Sequence, residues 1–208
     1  MYTALVVDDH PFIRAAVEMV LLQEKFNVVA ETDNGADAVQ LARQHQPDLI
    51  ILDIGIPKLD GLEVISRIKA LKLSSKILVL TSQLPAFYAS RCRNLGAVGY
   101  ICKVDELEEL RKALSTVMSG YTVFPSQETD SVRRSDLEAS DQQLISTLSD
   151  RELVVLQQLA RGMSNLQIGE IMLLSNKTIS AHKKRLLNKL KLTSQVGLAD
   201  FAKRNALI

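Results

Sequence analysis

Short apolar runs that end at an acidic residue recur in the first half of the chain, and they constrain its fold more than any other feature. Leu49–Leu52 is such a run, and Asp53 follows it directly. Residues 4–7 form a similar run, which Asp8 and Asp9 follow. Runs of this length, bounded by turn residues, are typical of strands buried on both faces of a parallel sheet. Because open α/β sheets bind ligands at the carboxyl edge of their strands, we expect the three carboxylates to meet there.

The first 120 residues repeat this alternation of apolar run and helical segment. The pattern predicts βα repeats, and therefore an α/β domain with a doubly wound, five-stranded parallel sheet. We expect strands near residues 3–8, 27–31, 48–53, 76–81 and 98–102. We expect helices near residues 11–24, 35–46, 61–72, 85–96 and 105–119. In the last of these helices, one face is expected to be buried, formed by Leu107, Leu110, Leu114 and Val117.

Side chains that suit a metal ion and an anion are expected at the carboxyl edge of the sheet. Converging carboxylates repel one another unless a cation neutralises them, and an open set of oxygen ligands favours Mg²⁺. The fourth strand ends at Thr81, and Lys103 follows the fifth. His10 comes directly after the acidic pair. Because neither His10 nor His45 has Cys or His partners at metal-binding spacing, we expect His10 near the mouth of the site and not on the metal.

These strand-end residues resemble, in order and interval, the active site of the receiver domains of two-component systems. Pro57 and Gly61 match the loop after the acceptor in that family. The resemblance covers residues 1–120 and implies a flavodoxin-like fold. It implies that Asp53 accepts a phosphoryl group from a sensor histidine kinase and that Lys103 pairs with the phosphoryl oxygens. It also implies a Mg²⁺ ion held by Asp8 through water, Asp9, Asp53 and the backbone carbonyl of Gly55.

Receiver domains couple this chemistry to a conformational switch. The resemblance implies that Thr81 moves to hydrogen-bond the phosphate and that Tyr100, three residues before the lysine, then rotates inward. The acyl phosphate also hydrolyses. The domain is therefore expected to catalyse its own phosphoryl transfer and dephosphorylation, and the chain is not otherwise expected to be an enzyme.

Length and composition indicate the number of domains and the cellular compartment. A chain of 208 residues accommodates two small domains. No apolar stretch approaches the roughly 18 residues that span a bilayer, and the amino terminus lacks a basic region typical of signal peptides. Cys92 and Cys102 fit a reducing cytosol, so a cytoplasmic protein without a membrane partner is expected. Both cysteines are expected to pack in the core, with redox sensing as the alternative.

Charge is unevenly distributed along the chain, although the net charge is only +1. Residues 149–208 carry 10 Lys and Arg against 4 Asp and Glu, a net charge of +6. This excess predicts a polyanionic partner for that segment alone. Residues 121–147 are polar and lack an apolar period, which predicts a linker that becomes helical again at residues 142–148.

Residues 148–208 have the pattern of a compact domain of four helices. Ser149 and Glu152 form a capping-box signature before the first helix, and Ser164, Ser175 and Ser194 are expected to cap the other three. The expected inward positions are Leu153, Leu156, Leu159, Ile168, Ile171, Met172, Ile179, Leu186, Leu187, Leu190, Val196, Leu198, Phe201 and Ala202.

The third of these helices, expected at residues 176–190, is basic. The short joint before it predicts a helix-turn-helix, in which the second helix enters the major groove of double-stranded DNA. Thr178 and the lysines are expected to contact phosphates, whereas Ser180, Ala181 and Lys184 are spaced to meet base edges. The full set of expected DNA contacts is Asn176, Lys177, Thr178, Ser180, Ala181, His182, Lys183, Lys184 and Arg185.

The carboxyl-terminal segment resembles the LuxR-type DNA-binding module of NarL/FixJ response regulators. The resemblance covers residues 148–190, including residues 162–165, 168–169 and the motif Leu-Ser-Asn-Lys-Thr-Ile at residues 174–179. The whole chain most resembles the BvgA/EvgA type. Two residues depart from the family pattern. Gly169 replaces a more usual Ala, at a cost of up to about 1 kcal/mol in helix propensity. Ser180 replaces a frequent Lys, which is expected to weaken electrostatic affinity for DNA.

The resemblance implies a transcription factor that binds promoter repeats as a homodimer. One helix-turn-helix reads few base pairs, so two copies on half-sites are needed for useful specificity. In this family type the fourth helix of the DNA-binding domain forms a dimer contact. Val196, Ala199 and Lys203 are the residues expected to be available for it.

Three other functions fit parts of the sequence. An aspartyl phosphotransferase of the haloacid-dehalogenase type needs a second Asp two residues after its nucleophile, where this chain has Gly55. A receiver that dimerises without accepting phosphate usually lacks an acidic residue or the lysine. The basic helix could also be a solvated lysine-rich face, against which the local charge and the helix-turn-helix context argue.

Overall fold

The computed structural model describes residues 1–103, 105, 107–125 and 136–208, and the chain forms two compact units, Met1–Ser126 and Gln127–Ile208. The strands of the first unit are β1 (Tyr2–Val7), β2 (Phe26–Thr32), β3 (Leu49–Leu52), β4 (Lys76–Thr81) and β5 (Gly99–Cys102). Its helices are α1 (Pro11–Gln23), α2 (Gly35–His45), α3 (Gly61–Ala70), α4 (Pro85–Asn94) and α5 (Leu107–Met118). The predicted elements are confirmed, with ends that differ by one or two residues.

All five strands are parallel, and they lie in the order β2-β1-β3-β4-β5. The central strand β3 is fully buried, because helices cover both faces of the sheet. One face packs against α1 and α5, through Val17, Val20 and Leu21 of α1 and Leu114 of α5. This order brings the carboxyl ends of β1, β3, β4 and β5 to one edge of the sheet.

The predicted buried face of α5 is wrong at its first position. Leu110, Leu114 and Val117 are buried, but Leu107 is 57% exposed. Leu107 stands at the first turn of the helix, where it lines an open apolar depression together with Ile13 and Leu110. Helical periodicity predicts which face of the helix a side chain lies on, but not whether another element covers that face.

The predicted linker, residues 121–147, contains secondary structure near both ends. Val123 forms a parallel bridge with Gly99, since its amide donates to the carbonyl of Val98 and its carbonyl accepts from the amide of Tyr100. The chain after α5 therefore extends the edge of the sheet beside β5. At the other end, helix α6 spans Asp136–Ser146 and begins six residues before the predicted start. Residues 126–135, the centre of the predicted linker, lie outside the described residues.

The second unit is helical throughout its described part. After α6 come α7 (Asp150–Ala160), α8 (Asn165–Met172), α9 (Asn176–Lys189) and α10 (Gln195–Arg204). Helix α7 packs against α8, α9 and α10. Asp141 of α6 pairs with Arg204 at 2.7 Å and accepts a hydrogen bond from Asn205, which ties α6 to the end of α10.

The predicted caps are confirmed, and most predicted inward positions are buried. Ser149 and Ser164 each form a reciprocal capping box, and Ser175 and Ser194 cap their helices through a single bond. Val196 is wrong as an inward residue, since it is 71% exposed in the first turn of α10. Three others are only partly buried: Ile171, Met172 and Leu187.

None of the described helices is long and apolar enough to cross a membrane.

Candidate functional site

Four strand ends bring the predicted acidic site together. Asp8 follows β1 and is 3% exposed, and Asp53 follows β3 and is 5% exposed. The amide of Asp53 donates to the carbonyl of Val7, so the parallel ladder itself sets these carboxylates side by side. Asp9 lies at the rim, with a side chain that is 35% exposed. The sequence alone predicted this convergence.

Lys103 bridges the two buried carboxylates. Its Nζ lies 2.5 Å from Oδ2 of Asp53 and 2.7 Å from Oδ2 of Asp8. Burial alone would lower the pKa of Lys103, but the charge and hydrogen bonds of Asp53 and Asp8 raise it above its ordinary value. The ammonium group therefore stays charged, and it balances part of the negative charge of the site.

Thr81 and Tyr100 already occupy inward positions. The hydroxyl of Thr81 donates to Oδ1 of Asp53 at 2.6 Å, and the side chain of Tyr100 is 1% exposed. The hydroxyl of Tyr100 donates to the carbonyl of Gln83 at 2.6 Å, and burial raises its pKa far above the ordinary value. Each hydroxyl thus has an acceptor in this structure, and the expected movement of Thr81 and Tyr100 on phosphorylation stays a prediction.

The loop after Asp53 is held by close backbone packing. The amide of Gly55 donates to Oδ1 of Asp53 at 2.9 Å, which orients the carboxylate. Gly61 begins α3, and a Cβ there would lie 2.4 Å from the Cα of Ile54. A side chain at position 61 would therefore push the loop away from the acidic site. The proposed role of the Gly55 carbonyl as a metal ligand stays a prediction.

A cluster of four potential metal ligands lies at the mouth of the site. Ligand atoms of Asp8, Asp9, His10 and Asp53 all lie within 4.8 Å of one another. His10 has a side chain that is 67% exposed, but its Nδ1 lies 2.7 Å from Oδ1 of Asp9 and 3.4 Å from Oδ1 of Asp8. The imidazole therefore faces the carboxylates, an orientation that the sequence did not reveal.

The predicted helix-turn-helix is present in the second unit, and it depends on Gly169. Leu173 ends α8 in the left-handed conformation, with φ of 54°, and the amide of Leu174 donates to the carbonyl of Gly169 at 2.8 Å. A Cβ at position 169 would lie 2.6 Å from the carbonyl oxygen of Leu174. A Cβ at position 169 would therefore require this turn to shift, a constraint that the helix-propensity cost alone does not express.

Most of the predicted DNA contacts lie on the outer face of α9. Six of the nine residues are exposed: Asn176, Lys177, Ser180, Ala181, Lys184 and Arg185. Thr178 and Lys183 are half-buried. Thr178 is engaged through its hydroxyl, which lies 2.8 Å from that of the capping residue Ser175.

His182 is the exception, because it lies at the seam between α9 and the rest of the unit. It is 9% exposed, so its prediction as a DNA contact is wrong. Burial lowers its pKa, and the charge of Arg185 lowers it further. Among the described residues, its Nδ1 has no hydrogen-bond partner. Position 182 falls three residues after Ile179 and four before Leu186, so helical spacing could have placed it inward.

Two lysines of α9 are held by partners from other helices. Lys183 donates to Oε1 of Gln195 at 2.6 Å, in an open polar cleft between the first turns of α8, α9 and α10. Sequence reasoning missed Gln195, because no local pattern connects it to α9. Lys189 pairs with the buried carboxylate of Glu152 at 2.7 Å and also donates to the carbonyl of Thr147. This contact fixes the end of α9 on the first turn of α7.

Known families match both units. The family described as "Response regulator receiver domain" matches residues 4–115, and the family described as "Bacterial regulatory proteins, luxR family" matches residues 146–202. The "Virulence factors putative positive transcription regulator BvgA" of Bordetella pertussis is 54% identical over 98% of this chain and 97% of its own length. The "DNA-binding transcriptional activator EvgA" of Escherichia coli is 32% identical over 98% of both chains.

One solved structure aligns with nearly the whole chain. The RcsB response regulator of Salmonella typhimurium superimposes with a TM-score of 0.76 at 26% identity, over 98% of both chains. The two family matches fall on the two compact units, and the high identity to a relative extends across both. This chain therefore belongs to the response regulators that join a receiver domain to a LuxR-type DNA-binding domain.

Proposed function

We propose that the chain is a phosphorylation-switched transcription factor whose acceptor is Asp53. The observation that carries the proposal is the set of contacts on that carboxylate. Thr81 and Gly55 hydrogen-bond Oδ1, and Lys103 pairs with Oδ2. Two segments that are distant in sequence, the ends of β4 and β5, thus meet the loop after β3 at one buried, oriented carboxylate on the edge of the sheet.

The proposed chemistry is transfer of a phosphoryl group from a phosphohistidine of a sensor kinase. An oxygen of Asp53 forms a bond to phosphorus, the bond from phosphorus to the imidazole nitrogen breaks, and the imidazole leaves. Lys103 then neutralises part of the added charge, which its raised pKa favours. Asp9, Asp53, the Gly55 carbonyl and Asp8 through water would hold Mg²⁺. The bound ion would stabilise negative charge on the phosphoryl oxygens.

Phosphorylation is proposed to stabilise the inward arrangement of Thr81 and Tyr100. The modification is proposed to act by shifting the populations of two arrangements of these side chains. The phosphoryl oxygens would accept the Thr81 hydroxyl in place of the carboxylate. If the active state were about 1% populated before modification, a shift of roughly 5.5 kcal/mol would nearly saturate it.

The DNA-binding part of the proposal rests on the outer face of α9. Lys177, Lys184 and Arg185 are exposed there, whereas Lys189 is held within the unit by Glu152. Lys183 is positioned by Gln195 beside the polar cleft, which suits contact with the DNA backbone. A RcsB structure that is 25% identical to this chain was determined bound to a promoter, with a phosphomimetic present.

We further propose pairing through α10. Val196 is 71% exposed, Ala199 is half-buried, and Lys203 is exposed. The three residues are spaced by three and four positions, so they share one side of the helix. An exposed valine beside a small residue fits pairing with a second copy on adjacent half-sites.

The proposal is tested by selecting binding sites from a random pool of duplex DNA with protein treated with acetyl phosphate and Mg²⁺. Affinity for a selected duplex should rise on phosphorylation of the natural protein and stay at the untreated value in Asp53→Asn. Sedimentation with a selected duplex should show two protomers per DNA. Equal affinity before and after treatment, in protein shown by mass spectrometry to be phosphorylated, would contradict the switch.

A further inference from the structure

The chain that leaves α5 returns to the sheet as a short strap, residues 121–124. Gly120, with φ of 94°, follows the last turn of α5 and turns the chain toward the edge of β5. The amide of Val123 then donates to the carbonyl of Val98 at 3.0 Å, and the amide of Tyr100 donates to the carbonyl of Val123 at 2.7 Å. The strap is therefore hydrogen-bonded directly to the residue that is proposed to switch on phosphorylation.

Side chains of the strap also contact the helices of the receiver. Val123 packs against the core formed with α1 and α5. The guanidinium carbon of Arg93, in the last turn of α4, lies 4.3 Å from the centre of the Phe124 ring, within the range of a cation–π contact. Helix α4 also packs against β5, where burial and then Cys92 of this helix raise the pKa of the Tyr100 hydroxyl. The same helix thus lies beside both Tyr100 and Phe124.

A plain structural role for the strap would be protection of a sheet edge. An uncovered β5 would present unpaired backbone groups, which proteins cover to prevent pairing with another chain. The two backbone bonds of Val123 fit that role. The contact of Arg93 with Phe124 goes beyond it, because this contact joins the strap to the helix that follows Thr81.

We infer that the strap transmits the state of the receiver to the chain that leads to the DNA-binding unit. The docked strap and the inward arrangement of Tyr100 occur together in this structure, and each stabilises the other. The inference rests on the proposed phosphorylation switch and names the element that carries it onward. Because coupling between two sites is reciprocal, phosphorylation that favours the inward arrangement also tightens the strap.

The coupling runs through the loop that begins α4. The hydroxyl of Tyr100 donates to the carbonyl of Gln83 in this loop. Turning Tyr100 outward would break that bond, free the start of α4 and shift Arg93 relative to Phe124. A docked strap also fixes the point from which the chain continues beyond residue 125. Two DNA-binding units that pair on adjacent half-sites then lose less conformational entropy.

Amide exchange tests whether the strap responds to the state of Asp53. It is measured by NMR on the full chain with Mg²⁺, in the presence and absence of beryllofluoride as a mimic of the phosphoryl group. The amides of Val123 and Tyr100 should exchange at least about fivefold more slowly with the mimic, the lower end of typical coupling between sites. The amide of Gln46, which caps α2, should not respond.

A proline variant tests whether docking of the strap is needed for the response of DNA binding. Val123→Pro removes the amide that bonds Val98, so the gain in DNA affinity on treatment with acetyl phosphate should fall at least about fivefold. Phosphate incorporation, measured by mass spectrometry, should persist. Thr122→Pro is the matched control, because among the described residues the amide of Thr122 donates no hydrogen bond.

A second variant tests the contact with α4 without altering the backbone of the strap. Arg93→Met removes the charge over the Phe124 ring, and Arg93 is exposed, so the receiver should stay folded. The gain in DNA affinity should fall about two- to fivefold, the loss expected for a cation–π contact at an exposed site. Arg43→Met, at an exposed arginine of α2, should leave the gain unchanged.

The outcomes separate the strap from the switch itself. Equal exchange rates with and without beryllofluoride, in protein whose DNA affinity rises on phosphorylation, would overturn the inference and leave the proposed switch standing. A phosphorylated Val123→Pro variant that keeps the full gain, even at lower overall affinity, would also overturn it, because edge protection alone gives that result. If Val123→Pro is not phosphorylated, Arg93→Met decides the question. No gain in the phosphorylated natural protein would overturn both the inference and the switch.

Discussion

Thr81 donates a hydrogen bond of 2.6 Å to Asp53, although the two residues are 28 positions apart in sequence. The bond joins the end of β4 to the carboxylate that follows β3, and both side chains are buried. Two residues after Thr81, the carbonyl of Gln83 accepts the hydroxyl of Tyr100, which lies on β5. These two hydrogen bonds connect Asp53, through residues at the end of β4, to the last strand of the sheet.

Replacing Thr81 by Val should separate acceptance of phosphate from the response to it. The substitution nearly preserves volume but removes the hydroxyl, whereas Lys103 and Gly55 keep their contacts with Asp53. Phosphorylation should therefore persist, and the rise in DNA affinity should be largely lost. Phosphate incorporation and DNA binding are measured on the same samples. Thr116→Val is the control, because the Thr116 hydroxyl bonds the carbonyl of Lys112 within its own helix.

Replacing Gly169 by Ala should destabilise the DNA-binding unit, although Ala is the better helix former. The new Cβ would stand 2.6 Å from the carbonyl oxygen of Leu174. Relief of this overlap should cost about 1–3 kcal/mol, more than the gain of up to about 1 kcal/mol in propensity. Chemical unfolding followed by circular dichroism measures the difference. Gly197→Ala is the control, since a Cβ there meets nothing nearer than 3.4 Å, and it should be neutral or stabilising.

The DNA-binding unit should lose stability as the pH falls below about 6.5, the ordinary pKa of histidine. Burial lowers the pKa of His182 in the folded state, and the positive charges of Arg185 and Arg151 lower it further. The negative charge of Glu152 partly opposes this shift. The unfolded chain therefore binds the proton more readily. The stabilisation from neutral His182 is complete above the pKa that this histidine has in the unfolded chain. It is lost as the pH falls toward the lower pKa of His182 in the folded unit.

Amide hydrogen exchange of α9, corrected for the intrinsic effect of pH, measures this loss. In His182→Gln the protection of α9 should be less sensitive to pH between 5 and 7. His45→Gln, which alters an exposed histidine of the other unit, should leave the sensitivity unchanged. An unaltered pH response in His182→Gln would assign the effect to other groups.

Local sequence patterns were sufficient to predict the receiver fold and the residues that converge at its edge. Buried parallel strands are short apolar runs, and parallel pairing places their carboxyl ends together. Asp8, Asp53, Thr81 and Lys103 were therefore recognisable without knowing any distance. The capping boxes of Ser149 and Ser164 were equally local, since each joins residues three apart.

The errors concern contacts between residues that no local pattern connects. The need for Gly169 arises from Leu174, which the turn brings back toward it. The pairing of Val123 with Gly99 depends on where the chain leaves α5. The exposure of Leu107 and Val196 arises because, among the described residues, no neighbour covers them. His182 shows a different limit, because hydropathy alone does not place a histidine inside or outside.

Replacing Lys184 by Ala should weaken binding to a selected DNA duplex by about 1–3 kcal/mol if the side chain reads a base. Lys184 is exposed on α9, and among the described residues of the second unit it has no ion-pair partner. Lys189, in contrast, is paired with Glu152. Fluorescence anisotropy on selected and random duplexes at several salt concentrations gives the measurement. An equal loss on both duplexes, with a salt slope reduced by about 1, would instead make Lys184 a phosphate contact. Lys112→Ala, an exposed lysine of the receiver unit, should change neither.

Mass spectrometry of the protein after treatment with acetyl phosphate and Mg²⁺ tests the central claim most directly. The intact mass should increase by one phosphoryl group, and after reduction with borohydride the modified peptide should carry the change at Asp53. Asp53→Asn should stay folded, because the exchange is nearly isosteric and relieves repulsion among the carboxylates, and it should remain unmodified. A stable phosphoryl group on Asp53→Asn, or on a residue other than Asp53 in the natural protein, would contradict the account.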